Sequence, residues 1–140
     1  MAVSFKNGEE EIYKDVVEKN SSITDPVESG KVTVTKAPTQ EFTYTFLGWS
    51  TNPNATEPES GVLENLTTDK TVYAIFKKEK RSYTISFYNG DNLYFTERVA
   101  YGEIPKGPST PPTDDTQGDF KSWVPALAPV TGVTSYAAEY

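Results

Sequence analysis

An internal duplication constrains this 140-residue chain more than any other feature. Val3-Ser4-Phe5-Lys6-Asn7-Gly8-Glu9 aligns without a gap on Ile85-Ser86-Phe87-Tyr88-Asn89-Gly90-Asp91, 82 positions later. The match runs on through Tyr13 on Phe95, Asp15 on Glu97, Val17 on Val99 and Asn20 on Gly102. Further along, Phe46-Leu47-Gly48-Trp49 answers Phe120-Lys121-Ser122-Trp123, and Ala74-Ile75-Phe76 answers Ala138-Glu139-Tyr140. A sequence that repeats in this way folds as repeated structural units, so the chain is read as two small tandem modules. The first covers residues 1–79, with an insertion at about residues 28–40, and the second, shorter one covers residues 80–140. Modules of this size bury little surface and depend on efficient packing, which the 7 Phe, 9 Tyr and 2 Trp supply.

The repeated opening is a hairpin. Asn-Gly suits a type I′ turn, because both central residues of that turn have positive φ, and Asn7-Gly8 and Asn89-Gly90 are assigned to it. Val3 and Phe5, and likewise Ile85 and Phe87, alternate before the turn. Leu93, Phe95, Val99 and Tyr101 keep a period of two after it. Asn20 and Gly102 tolerate a left-handed backbone, which marks a second turn. Glu9–Lys19 also reads as a helix, with an acidic start and Ile12 and Val16 on one face. Its ungapped match to the strand-like Leu93–Tyr101 favours a strand. Further strands are expected at Lys31–Lys36, Glu41–Trp49, Thr71–Lys77 and Ser135–Tyr140, with Phe42, Tyr44 and Phe46 forming one aromatic face. Ser50–Gly61 and the Pro-rich Lys106–Gly118 read as loops, the second exposed and extended, and Lys77–Arg81 as a solvated basic joint. The fold class is mainly β, with α+β left open by the helical reading of Glu9–Lys19.

Composition removes whole classes of chemistry. The chain has no Cys and no His, so it has no disulfide, no Cys/His zinc site and no Ser-His-Asp or Cys-His nucleophile. A net charge of −7 opposes nucleic-acid binding. No apolar run is long enough to insert in a membrane, and Met1–Phe5 lacks the basic start of a signal peptide.

The remaining candidates have structural readings. Trp49 and Trp123 stand in the same register to Phe46 and Phe120, which favours core anchors over a sugar-stacking platform. Phe5, Phe46, Trp49 and Phe76 are the expected core anchors of the first copy, with Phe87, Phe120, Trp123 and Tyr140 those of the second. Asp114-Asp115 with Asp119, and Glu9-Glu10-Glu11, offer paired carboxylates for hydrolysis, but both groups fall in turns or loops rather than across a cleft. Calcium accepts oxygen ligands, yet Asn89-Gly90-Asp91-Asn92 and Asp114-Asp115 lack the spacing of a calcium loop. The sequons at Asn20, Asn54 and Asn65 read as turns. No catalytic residue, cofactor or metal is assigned.

The order of these motifs resembles the Listeria–Bacteroides repeat, the internalin-type B repeat. In the second copy the likeness rests on Tyr83–Gly90, Val99-Ala100-Tyr101-Gly102-Glu103, Pro111-Pro112-Thr113, Phe120-Lys121-Ser122-Trp123, Val130-Thr131-Gly132 and Tyr136-Ala137-Ala138. In the first copy it rests on Phe46-Leu47-Gly48-Trp49 and Val72–Phe76. Ser122 departs from the Gly usual at that place. The resemblance implies β-grasp-like modules found in tandem in bacterial surface proteins and in virion proteins of phages that infect Gram-positive hosts. The style of Thr43–Ser50 is closer to the phage tail versions. The expectation is a non-enzymatic structural or attachment protein of a phage virion (tail, baseplate or fibre), acting as a spacer or docking surface. Its partners would be other subunits of the assembly or a host-surface receptor. The alternatives are a Gram-positive cell-surface adhesin repeat and a carbohydrate-binding module for cell-wall glycan.

Overall fold

The computed structural model describes residues 1–140 and contains eight strands and no helix. Four strands, β1 (Ala2–Asn7), β2 (Glu10–Val16), β3 (Phe42–Ser50) and β4 (Lys70–Lys80), form a sheet in the order β2-β1-β4-β3. The other four, β5 (Ser82–Asn89), β6 (Asn92–Ala100), β7 (Ser122–Val124) and β8 (Thr134–Glu139), form a second sheet in the matching order β6-β5-β8-β7. Both sheets are mixed. β1 runs antiparallel to β2 and parallel to β4, and β5 runs antiparallel to β6 and parallel to β8. The chain divides into two compact units, Met1–Ala37 with Tyr44–Glu79 and Pro38–Thr43 with Lys80–Tyr140.

The register repeats with the fold. Phe5 pairs with Tyr13 on one side and Val72 on the other; Phe87 pairs with Phe95 and Tyr136. The antiparallel ladder slips at the same place in each copy, skipping Ile12 in one and Tyr94 in the other. A bulge at an equivalent position bends the strand and raises its local twist. It also accounts for the half-burial of both Ile12 and Tyr13, which a regular strand would send to opposite faces. The helical alternative for Glu9–Lys19 fails because β1 offers this segment a complete ladder, and Val16 is 69% exposed instead of sharing a buried face with Ile12.

The tip of each hairpin differs from the sequence expectation. The two connecting residues are Gly8-Glu9 and Gly90-Asp91, and Asn7 and Asn89 are the last residues of their strands. Only the glycine of each pair has positive φ, at 65° and 60°, which is the pattern of a type II′ connection. The asparagines serve another end. Asn7 Nδ2 donates to the Thr35 carbonyl at 2.9 Å, and Asn89 Nδ2 donates to the Thr113 carbonyl at 3.3 Å, so each ties its hairpin to a later loop.

Asn20 and Gly102 do adopt left-handed backbones, with φ of 70° and 84°. Their amides donate to Leu66 and Val130 carbonyls, and the Leu66 and Val130 amides donate back to Ser21 and Glu103. A reciprocal pair of bonds thus closes each module in the same way.

Lys31–Lys36 is not a strand. β2 and β4 fill both sides of β1, and the segment pairs with neither of the sheet's outer strands, β2 and β3. It crosses as irregular backbone, drops Val34 into the core at 7% exposure, and is held by Asn7. Asn7 and Asn89 hold Thr35 and Thr113 alike, so the backbone around Thr35 corresponds to that around Thr113, while the first copy still has eight more residues between Phe5 and Phe46 than the second has between Phe87 and Phe120. That second loop is not simply exposed. Pro112 is buried, Tyr94 donates to the Thr110 carbonyl at 2.7 Å, and the Gly107 amide donates to Glu97 at 2.8 Å. The basic joint is structured as well. Lys77–Lys80 belong to β4, and Arg81 alone separates β4 from β5. Within the second unit Arg81 donates to the Thr39 carbonyl at 2.8 Å and lies over the Tyr83 ring, whose hydroxyl donates to the Gln40 carbonyl.

Candidate functional site

The feature the fold builds with most care is an aromatic cluster present in both units. In the first, Phe5 is fully buried and meets Trp49 edge-on, with ring centres 4.9 Å apart and planes at 78°. Trp49 continues to Phe46 at 5.2 Å, and Phe46 to Phe76 at 6.0 Å. In the second, Phe87 meets Trp123 at 5.0 Å and 70°, Trp123 meets Phe120 at 5.1 Å, and Phe120 meets Tyr140 at 6.3 Å. Phe5 and Phe87 also tilt against Tyr13 and Phe95 at 5.7 and 5.9 Å. Rings set edge to face place positive ring edges on negative ring faces, which adds to the area they bury. All eight expected anchors, from Phe5 to Tyr140, therefore lie in these two chains of rings.

The two indoles differ in their surroundings. Trp49 is 2% exposed, and its Nε1 donates to Asp25 Oδ1 at 3.0 Å. The same carboxylate accepts the Val27 amide at 2.9 Å. Eighty-two positions on, Gly107 stands where Asp25 does, and a Cβ there would sit 3.5 Å from the Trp123 Nε1. Trp123 is only half-buried. Sequence reasoning missed the pairing of Asp25 with Gly107, although extending the ungapped offset past Asn20 finds it.

Gly48 and Ser122 are likewise equivalent in sequence and unlike in setting. A Cβ on Gly48 would come within 2.8 Å of the Pro58 ring, which folds back from the Ser50–Gly61 loop. That loop is secured by the Glu59 amide on the Trp49 carbonyl at 2.9 Å and by Glu59 Oε1, which accepts Thr51 Oγ1 at 2.6 Å. Ser122 is exposed.

The carboxylate candidates for hydrolysis are engaged locally. Asp114 Oδ1 accepts the Thr116 hydroxyl and amide and the Gln117 amide, and its Oδ2 accepts Gln117 Nε2. These bonds, the Thr116 hydroxyl foremost, hold its pKa down to about 2, whereas a general acid needs a raised value. The Thr51 hydroxyl similarly lowers Glu59. Asp115 and Asp119 are exposed around the same loop, and Glu9-Glu10-Glu11 are exposed at the tip of the first hairpin. No three carboxylates converge as a metal site would require. The sequon asparagines all occupy turns. Asn20 and Asn65 have positive φ, and the Asn54 amide donates to the Asn52 side chain.

Comparison with models of protein families, with curated proteins and with solved structures returns no match.

Proposed function

We propose that this chain is a non-enzymatic structural or attachment module, part of a phage virion such as a tail, baseplate or fibre, where it serves as a spacer or docking surface. The observation that carries this reading is the duplication of a complete packed unit, with the same strand order, register and chain of aromatic rings. Copying a scaffold twice suits a part that sets distance and presents loops. Each unit also ends in edge strands, β2 and β3 in one and β6 and β7 in the other, along which a neighbouring subunit can add a strand. The mixed sheet with a parallel central pair supports a β-grasp-like description, in keeping with the motifs that resemble Listeria–Bacteroides repeats.

Immunogold imaging of virions with an antibody against this chain tests the proposal. Label at one fixed position on the tail is the expected result. Label on the wall of uninfected bacteria and none on virions would replace it with the adhesin reading.

A further inference from the structure

The first unit has a surface groove whose lining runs against the charge of the chain. Two adjoining hollows of about 390 and 450 Å³ share Lys36, Pro53, Ala74 and Phe76 as a common wall. Such volumes fall within the range of roughly 300–1,000 Å³ typical of small-ligand sites. Tyr73 lines one hollow, and Tyr44 and Lys78 line the other. Neither hollow has a carboxylate in its lining, although acidic residues outnumber basic ones by 20 to 13. Three further hollows in the molecule each include Asp or Glu.

Part of this lining is specific to one copy. Lys36 Nζ sits 4.3 Å over the centre of the Tyr44 ring, which fixes a cation at the wall. By the Thr35–Thr113 and Phe46–Phe120 equivalences, Asp114 stands in place of Lys36 and Gly118 in place of Tyr44. Pro53 belongs to the loop that the second unit has shortened. The fold is built without these features in the second unit, so packing does not demand them in the first.

We propose that this groove binds an anionic glycan, one that carries carboxylate or phosphate groups along a chain of sugar rings. Lys36 and Lys78 would meet the charges, and the rings of Tyr44 and Phe76, on one face of the sheet, would take the flat apolar faces of the sugars. An open groove lined by rings and cations fits an extended polyanion better than a compact metabolite. This inference stands apart from the virion assignment, since such a site would serve a tail part and a surface adhesin equally.

The test uses the whole chain and amide NMR titration at low salt. The probes are a hyaluronan octasaccharide as the uronate arm, a phosphate-linked sugar oligomer as the phosphate arm, a neutral chitin hexamer, and an acidic Glu/Ser peptide. Expected are saturable shifts centred on Lys36, Tyr44 and Phe76 with at least one charged glycan, weaker shifts with the chitin hexamer, and loss of affinity as salt rises. Lys36→Glu with Lys78→Glu, both at exposed positions, should weaken binding by about tenfold or more, since charge-assisted bonds are lost and repulsion replaces them. Lys19→Glu, outside the groove, should change nothing. No saturable shift with either charged glycan overturns the proposal. So does binding that the double reversal leaves intact, and so does binding of the peptide alone, which would make the groove a protein-docking site.

Discussion

Trp49 and Trp123 meet the same partner rings at nearly the same distances, yet one indole is sealed and the other is half open. The difference lies in the segment downstream of each indole. Twenty-three positions separate Trp49 from Val72, and thirteen separate Trp123 from Tyr136, the residue equivalent to Val72. The added residues bring Pro58 onto Gly48 and Glu59 back to the Trp49 carbonyl, while Asp25 takes the indole N–H from the other side. The strand-and-ring skeleton is thus indifferent to loop length, and the loops decide how dry the core becomes. Glycine at position 48 therefore answers to a neighbour. Where no proline approaches, serine stands in its place.

Breaking the comparison at the indoles gives the largest effect. Trp49→Ala should cost about 3–5 kcal/mol, as expected for truncating a large buried aromatic, and Trp123→Ala roughly half of that because its indole already meets solvent. Denaturant unfolding followed residue by residue by amide NMR separates the two units, with fluorescence of the remaining tryptophan as the control on the unit left unchanged. Equal losses would contradict the difference in burial.

At the glycine, Gly48→Ala should destabilise the first unit by about 1–3 kcal/mol through the forced approach to Pro58. Pro58→Gly in the same chain, which removes both ring atoms that a Cβ at position 48 would meet, should recover much of the loss, while Ser122→Gly in the second unit should shift its midpoint very little. A Gly48→Ala loss that Pro58→Gly leaves unchanged would assign the glycine to the strand instead.

The indole hydrogen bond sharpens the contrast further. Asp25→Ala removes the acceptor for Trp49 Nε1 and for the Val27 amide, and should cost about 1–3 kcal/mol because a buried donor is left without a partner. Hydrogen exchange at the Trp49 indole should quicken towards the rate at Trp123.

The smallest effect concerns Asp114, whose place in the first unit is taken by Lys36. Its depressed pKa means that the carboxylate favours the folded loop fully above the ordinary value of 3.8, and that this contribution is lost as pH falls through about 2. Carboxyl NMR should give a midpoint near that value. Thr116→Val, which deletes the hydrogen bond that lowers it most, should move the midpoint up towards 3.8 with the fold intact.

Much of this was legible in the sequence. The offset alone located the paired hairpins, the left-handed residues at Asn20 and Gly102, and the equivalence of the two aromatic sets, because side-chain periodicity and turn chemistry are local. The misreadings arose where partners are distant. The alternating valines of Lys31–Lys36 look like a strand, yet the segment joins no edge of the sheet and instead carries Val34 into the core and Thr35 to Asn7. Asn-Gly suggested a type I′ turn, but the amide of each asparagine is engaged with a loop 28 or 24 residues away. The three-residue β7 is too short to show a period. As for the groove, Lys36, Pro53 and Phe76 look ordinary in order of sequence, and only folding brings them to one wall.

The parallel pairing of first and last strands has a bearing on how the chain is made. Phe5 waits for Val72 and Phe87 for Tyr136, so neither sheet can close until its final strand has been synthesised. The closing segments Thr71–Ala74 and Ser135–Ala138 are alike enough to compete for the same opening strand. On the ribosome the contest is settled by order of appearance, since β4 emerges and pairs with β1 before β8 exists. A denatured chain returned to native conditions has no such schedule, and exchanged pairings are the error to which its symmetry exposes it.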